Sequence, residues 1–170
     1  MPEKIRIYHE AIVVGAESID VQGHVNNREY LRWMEDVATR HAARLGWDWA
    51  ALQSRGRSWV AREHWAEYLR PCFAGDELVM HTWVQSMRGP VSLRRYALLR
   101  GGEIVFAGAT EWVYIDFARG RPVRPEEDVT SSFSLVASDD PELRELGVAR
   151  PLRWSPSPGL LGGTFGGSAS

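Results

Sequence analysis

The chain changes from strand-like to helix-like sequence within one short segment, Asp20-Val21-Gln22-Gly23-His24-Val25-Asn26-Asn27-Arg28-Glu29-Tyr30. The segment brings a carboxylate, an imidazole, two amides and a phenol close to the first turn of a helix. The start of a helix carries unpaired backbone N–H groups and a partial positive charge, so it can polarise a carbonyl group or hold an oxyanion. A carboxylate and a histidine beside such donors indicate carbonyl chemistry with water.

A long amphipathic helix is expected directly after this segment. Apolar side chains recur there at steps of three and four residues on one stripe. The stripe consists of Tyr30, Leu31, Met34, Val37, Ala38, His41, Ala42 and Leu45. Asn26 or Asn27 is a suitable N-cap and Gly46 a suitable stop. We therefore expect a helix of about 18 residues, which is roughly 27 Å long.

Runs of β-branched and aromatic residues flank the helix and predict strands. One strand is expected before it, at residues 5–14, and a short helical turn after it, at residues 47–53. Four further strands, separated by turn signals, are expected at residues 59–69, 77–87, 91–99 and 104–117, and residues 125–129 resemble the start of a short helix. Strands segregated from one helix predict an α+β fold, an antiparallel sheet wrapped around one long central helix. A homodimer would cover the sheet surface or edge that remains.

The bulk composition is that of an ordinary globular protein. The chain has 170 residues, 44% hydrophobic and 25% charged, with a net charge of −2, which argues against nucleic acid as a partner. No apolar run approaches the about 18 residues of a membrane span, and the first residues do not read as a signal peptide. The single cysteine, Cys72, excludes an intrachain disulfide. These features predict a cytoplasmic protein without membrane insertion.

The hydrophobic periodicity fades after about residue 138. The last twenty residues contain Pro151, Pro156 and Pro158 and end in a run rich in Gly and Ser. Such a composition buries too little apolar area to offset the entropy of ordering. We therefore predict one domain over residues 1–137 and a flexible C-terminal extension over residues 138–170.

Three sequence elements carry a resemblance to a known family. The first is the Asp-x-x-Gly-His-Val-Asn-Asn-x-x-Tyr pattern of residues 20–30. The second is Glu-Tyr-Leu-Arg-Pro-Cys-x-x-Gly-Asp at 67–76, and the third is Ser-Met-Arg-Gly at 86–89. Over residues 5–133 the chain resembles the hotdog-fold thioesterases, and most closely the 4-hydroxybenzoyl-CoA thioesterase-like family, which includes the acyl-CoA thioesterases of bacterial Tol–Pal clusters. Plant acyl-carrier-protein thioesterases have a similar first element.

The resemblance implies a set of residue roles. Asp20 would be the catalytic carboxylate, as a general base on water or as a nucleophile. The backbone N–H near Asn27 would bind the thioester oxygen, and His24 would orient the carboxylate or the water. The remaining residues implied to contact substrate are Gly23, Val25, Asn26, Tyr30 and, for the CoA phosphates, Arg88. The family needs no cofactor or metal, and its active sites lie between two subunits of a homodimer or of a tetramer built from two dimers.

Several other residues have both a functional and a structural interpretation. Glu63 is a fallback catalytic acid, because some relatives use a glutamate from a central strand. Strand alternation places Glu63 and Glu67 on one face, where solvent exposure is expected, and His64 on the other. Cys72 is interpreted as structural. The arginines Arg88, Arg94 and Arg95, and more weakly Arg55, Arg57 and Arg62, either bind phosphate or lie at solvated surfaces.

The leading functional prediction is a thioesterase acting on an acyl-CoA or an acyl-carrier-protein substrate. A hotdog hydratase or dehydratase is an alternative, but its Asp-x-Asn-Pro-x-His pattern differs here in spacing and in the missing proline. A non-catalytic acyl-CoA-binding or sensing protein is a third possibility, against which the retained Asp20 argues. The eight tryptophans fit an aromatic or a medium-chain acyl group.

Overall fold

The helix and strands of the computed structural model, which describes residues 5–157, occur in the order expected from the sequence. The strands are β1 (Tyr8–Val13), β2 (Arg57–Tyr68), β3 (Glu77–Arg88), β4 (Val91–Arg100), β5 (Glu103–Asp116) and β6 (Arg121–Pro122). The α-helices are α1 (Asn27–Arg44), α2 (Trp49–Gln53), α3 (Glu127–Thr130) and α4 (Pro141–Glu145), and a 3-10 turn covers Ala16–Ser18. The short strand β6 was not expected.

One antiparallel sheet contains all six strands. Its order is β1-β3-β4-β5-β2, and β6 pairs with the end of β5. Extra residues interrupt the register at Arg62 in β2 and at Gln85 in β3. Such bulges bend a strand and increase its twist, which helps the sheet to curl around a helix. The long strand β2 lies at one edge of the sheet.

Helix α1 packs against the inner face of this sheet and forms the main core. Its residues Met34 and Val37 are fully buried together with Leu98 and Phe106 from the strands. A Cβ atom on Gly108 of β5 would lie 3.0 Å from the Met34 side chain, so this position lets the helix approach the sheet closely. Among residues 5–157, no helix combines the length and apolar character that crossing a membrane requires.

The outer face of the sheet is covered by the segment that follows residue 137. Leu143 and Val148 are buried against Trp83 and Leu99. This differs from the sequence expectation of a flexible extension, because the segment has only two apolar anchors and no periodic pattern, yet both anchors meet an apolar patch on the sheet. The remainder of that predicted extension, residues 158–170, lies outside the described residues.

Candidate functional site

A tight loop holds the segment before α1. A bridge between Ile19 and Val25 closes it, and the Asp20 N–H donates to the His24 carbonyl at 3.0 Å. Within the loop, the Gly23 N–H donates to the Asp20 carbonyl at 3.0 Å. Gly23 has φ of +86°, a conformation that residues with a Cβ adopt only with strain. The glycine in the sequence pattern therefore serves the backbone turn that places Asp20 and His24 side by side.

The Asp20 carboxylate has one oxygen fixed and one oxygen available. Its Oδ1 accepts a hydrogen bond from the Gln22 N–H at 2.8 Å. Its Oδ2 lies 3.9 Å from Nδ1 of His24, and the side chains are 23% and 36% exposed. That separation is too long for a hydrogen bond but leaves room for a shared water or substrate atom. The pair can therefore orient a water molecule at the mouth of the loop.

The start of α1 lies immediately beyond this pair. The Asn26 side chain caps the helix by accepting from the Arg28 N–H at 3.1 Å, as the sequence predicts. The Val25 and Asn26 N–H groups donate to the carbonyls of Cys72 and Ser18. The Asn27 N–H has no acceptor among residues 5–157. An unpaired donor at the positive end of an 18-residue helix can stabilise a negative oxygen.

Two of the residues implied to contact substrate are buried in the core. Val25 is almost completely buried, and Tyr30 packs its ring against Trp33, Tyr68 and Phe106. Burial raises the pKa of the Tyr30 hydroxyl. Tyr30 thus belongs to the core, because the apolar stripe of α1 turns it inward.

Tyr68 is a residue of the site that the sequence interpretation did not single out. Its hydroxyl donates to the Asn27 carbonyl at 3.2 Å, and its side chain is exposed at the end of β2. The available signal was its place in the second family-like element, beside Glu67. Tyr68 therefore links the exposed edge strand to the first turn of α1.

The expected arginine cluster is not formed. Arg88 is exposed at the end of β3, whereas Arg94 and Arg95 are buried. Adjacent residues of a strand point to opposite faces, so Arg94 contacts His41 under α1 and Arg95 contacts Gln85 and the Arg150 carbonyl on the outer face. Arg94 and Arg95 therefore do not lie at a solvated surface, and of these three arginines Arg88 alone is exposed.

The second arginine group is paired with carboxylates. Arg55 bonds to Asp128, Arg57 to Glu126 and Arg62 to Glu111. Their guanidinium groups hold α3 and β5 near β2. The phosphate interpretation for these three residues therefore has no free charge to support it.

The acidic residues of β2 face the C-terminal segment rather than solvent. Glu63 accepts from the Ser157 N–H and hydroxyl at 2.9 and 2.6 Å, and Glu67 pairs with Arg150. Hydrogen bonds from these partners lower the pKa of both carboxyls. The opposite orientation of His64, toward Glu35 of α1 at 3.5 Å, agrees with the predicted alternation. Glu63 thus lies on the outer face, away from the face that carries α1.

A separate apolar cavity of about 130 Å³ lies near the other end of α1. It is enclosed by α1, α2 and the sheet, with Trp47, Trp59, Trp112 and Phe133 in its wall. Arg94 also reaches it. Because the helix residues at the cavity begin at Ala38, the cavity lies at least about 16 Å along α1 from Asn27. One chain therefore carries a polar loop and an apolar cavity at opposite ends of the same helix.

Comparison with known proteins decides the family. The thioesterase-like superfamily matches residues 14–133, which include the loop, α1 and the strands β2 to β5. The chain belongs to the thioesterase-like superfamily. Membership supports hydrolysis of thioesters as the general activity of this chain.

One curated protein and several solved structures are similar to this chain. The Bacillus subtilis (strain 168) protein named "Putative acyl-CoA thioesterase YneP" is 22% identical over 121 residues, 71% of this chain and 88% of that protein. The DHNA-CoA thioesterase from Staphylococcus aureus superposes with a TM-score of 0.70 at 20% identity, covering 84% of this chain and 96% of its own. The gentisyl-coenzyme A thioesterase BH1999 superposes with a TM-score of 0.67 at 18% identity, covering 76% of this chain and 100% of its own. The predicted hotdog fold is thereby confirmed.

Proposed function

We propose that this member of the thioesterase-like superfamily hydrolyses acyl-CoA thioesters, with Asp20 as the general base. The observation that carries the proposal is that one loop holds both the half-buried Asp20 carboxylate and, at the start of α1, the Asn27 N–H, which has no acceptor among residues 5–157. The first group can take a proton from water, and the second can receive the negative charge that then develops on the carbonyl oxygen.

The reaction follows from these two groups. The thioester carbonyl oxygen accepts from the Asn27 N–H, and the Oδ2 atom of Asp20 removes a proton from a water held between Asp20 and His24. The water oxygen bonds to the carbonyl carbon, and the C–S bond then breaks to release the thiolate, which takes up the proton that Asp20 received from water. A thiolate is a good leaving group, so one base and one oxyanion donor are adequate.

Two copies of the chain would complete the site. Strand β2 is an edge strand, and its free edge forms no backbone hydrogen bonds to another strand among the described residues. Tyr68, at one end of β2, contacts the start of α1, whereas Trp59, at the other end, lines the cavity. These two residues are about 30 Å apart along the strand. Antiparallel pairing of β2 with its copy about the strand centre would bring the cavity of one subunit beside the Asp20 loop of the other. The acyl group would then enter the partner's cavity.

Arg88 is the proposed contact for the CoA phosphates. It is exposed, and no described carboxylate lies within salt-bridge distance of it. Its neighbour Met87 lines the cavity. A free guanidinium at this position suits phosphate oxygens.

The direct test is thiol release from a panel of short, medium, long and aromatic acyl-CoAs, followed by acyl-carrier-protein esters. We expect wild-type turnover and a loss of at least about 100-fold in kcat for Asp20→Asn, the scale of a missing base. Asp139→Asn is the matched control, since Asp139 is exposed on the outer segment. Full activity of Asp20→Asn would overturn the mechanism, and no turnover of any ester would overturn the function.

A further inference from the structure

Arg94 is a buried cation in an otherwise apolar cavity. It is 5% exposed, lies on the inner face of β4, and shares the cavity wall with Trp47, Trp112 and Phe133. The buried indole N–H of Trp59, another wall residue, has no hydrogen-bond partner among residues 5–157. Two donor side chains, Arg94 and Trp59, therefore lie in this wall.

Within residues 5–157, the charge of Arg94 has no counter-ion. Its Nη1 donates to Nδ1 of His41 at 2.9 Å and to the hydroxyl of Thr82 at 3.1 Å, and both acceptors are neutral. Its Nε and Nη2 atoms have no hydrogen-bond partner among residues 5–157, and no described carboxylate lies within 4.0 Å. The paired arginines Arg57 and Arg62 show how the same chain neutralises guanidinium groups elsewhere.

A buried guanidinium stays charged and is costly to desolvate unless an anion pairs with it. Its free edge matches the two oxygens of a carboxylate. We propose that Arg94 is a specificity-determining residue that binds a carboxylate at the far end of the substrate's acyl group. This inference rests on the proposed thioesterase function and names the substrate class as CoA thioesters of dicarboxylic acids.

The dimensions of the cavity limit the acyl group further. A cavity of about 150 Å³ accepts a benzene molecule, and this cavity measures about 130 Å³. The tryptophan walls suit a flat ring or a short methylene chain, and the hydroxyls of Ser58 and Ser92 line the same space. The acyl groups that fit are therefore a carboxylated aromatic ring or a short dicarboxylic chain.

Matched pairs of thioesters that differ only in the distal carboxylate test the proposal. The pairs are butyryl- and succinyl-CoA, hexanoyl- and adipoyl-CoA, and benzoyl- and 4-carboxybenzoyl-CoA. We expect kcat/KM of the wild type to favour the carboxylated member of at least one pair by tenfold or more, and Arg94→Met to reverse that preference, measured as the ratio of kcat/KM within each pair. If the wild type preferred the neutral thioester in every pair, and Arg94→Met left that preference unchanged, the proposal would be overturned.

A binding measurement separates this proposal from the proposed function. Isothermal titration of the wild type with benzoate and with benzamide compares a carboxylate with a neutral group of the same shape. Tighter binding of benzoate, lost in Arg94→Met, supports the anion site even if no thioester is hydrolysed. Equal binding of the two compounds by the wild type counts against the anion site. This comparison uses the wild type alone, so it does not depend on whether Arg94→Met folds.

Discussion

Nη1 of Arg94 donates a hydrogen bond to Nδ1 of His41 at 2.9 Å, between the middle of the sheet and the last turns of α1. Because arginine is only a donor, Nδ1 of His41 must be the acceptor, and its Nε2–H then donates to the Ile5 carbonyl at 2.8 Å. The imidazole is therefore neutral. Burial, and next the charge of Arg94, lower the pKa of His41 to about 4.

The first prediction concerns the pH dependence of stability. Above pH 6.5 His41 is neutral in both the folded and the unfolded chain. Between pH 6.5 and about 4, only the unfolded chain gains the proton, so the free energy of unfolding falls by about 3 kcal/mol and then levels off. The lowered pKa of His81, also caused mainly by burial, acts in the same direction. Urea denaturation at a series of pH values measures this.

The matched variants for that experiment are His41→Gln and Val37→Ala. The amide of Gln replaces the imidazole without a titrating group, so the slope between pH 6.5 and 4 should be smaller. Val37 is buried one helical turn earlier, and its truncation should lower stability equally at every pH. An unchanged slope in His41→Gln would contradict the assignment of the effect to His41.

The second prediction concerns the composition of the active site. If Asp20 and the cavity act across two subunits, inactive Asp20→Asn and a cavity-filling variant, Ala42→Trp, should complement each other. Their mixed dimer contains one intact site, formed by Asp20 of one chain and the cavity of the other. Co-expression with two affinity tags should yield about half of the wild-type kcat, since one of two sites works.

Complementation separates the two arrangements of the site. If Asp20 and the cavity served the same site within one chain, each chain of the mixed dimer would be defective, and the activity would not exceed that of the parents. A mixed dimer of wild type with Asp20→Asn has one working site in either arrangement. It therefore provides the reference value for half activity.

The third prediction separates base from nucleophile at Asp20. A single turnover in water enriched in ¹⁸O should place the label in the released acid, because the attacking oxygen comes from solvent. Attack by the carboxylate itself would instead form an anhydride. Water attack at its Asp20 carbonyl would leave the label in the protein, an outcome that a general base cannot give, whereas attack at its acyl carbonyl would label the acid as in the base mechanism. Mass spectrometry of the peptide containing Asp20 measures the difference, and Asp20→Asn provides the unlabelled reference.

The fourth prediction concerns the segment after residue 137. Leu143 is 2% exposed against Trp83, whereas Leu146 of the same segment is 41% exposed. Truncation of a buried leucine leaves a cavity, so Leu143→Ala should lower the free energy of unfolding by about 2–5 kcal/mol. Leu146→Ala should change it by about 0.5 kcal/mol or less. Equal, small effects of both variants would show that the segment does not stabilise the domain.

The order of elements was predictable because it depends on local patterns. The stripe from Tyr30 to Leu45 has the period of a helix, and Asn26 supplies a cap whose partner is two residues away. Hairpin strands are delimited by Gly, Pro and Asp at their turns. These signals need no knowledge of distant neighbours, so strand and helix bounds differ from expectation by only a few residues.

The candidate site was predictable in part for the same reason. Asp20, His24 and the N–H of Asn27 fall within one loop, so their proximity follows from short hydrogen bonds such as that from Asp20 to His24. The role of Tyr68 was not predictable, because it meets Asn27 only after β2 has docked on the sheet.

Residues on the strands showed the limit of sequence patterns. Alternation correctly separates His64 from Glu63 and Glu67, but it does not say what covers each face. Glu67 meets Arg150, a residue far along the chain. An isolated ion pair of this kind has no periodic signal, and neither do the two apolar anchors of the outer segment.

Local sequence was sufficient to predict the helix, the strands and the Asp20 loop, because periodicity, caps and turn residues act over only a few residues. Tertiary structure alone decided that Arg94 is a buried cation with no carboxylate partner in the described part of the chain, while Arg95, the next residue, lies on the opposite face. It also decided that the cavity and the Asp20 loop lie at opposite ends of α1. The physical reason is that burial and charge pairing are set by which distant surfaces meet when the sheet closes on its helix.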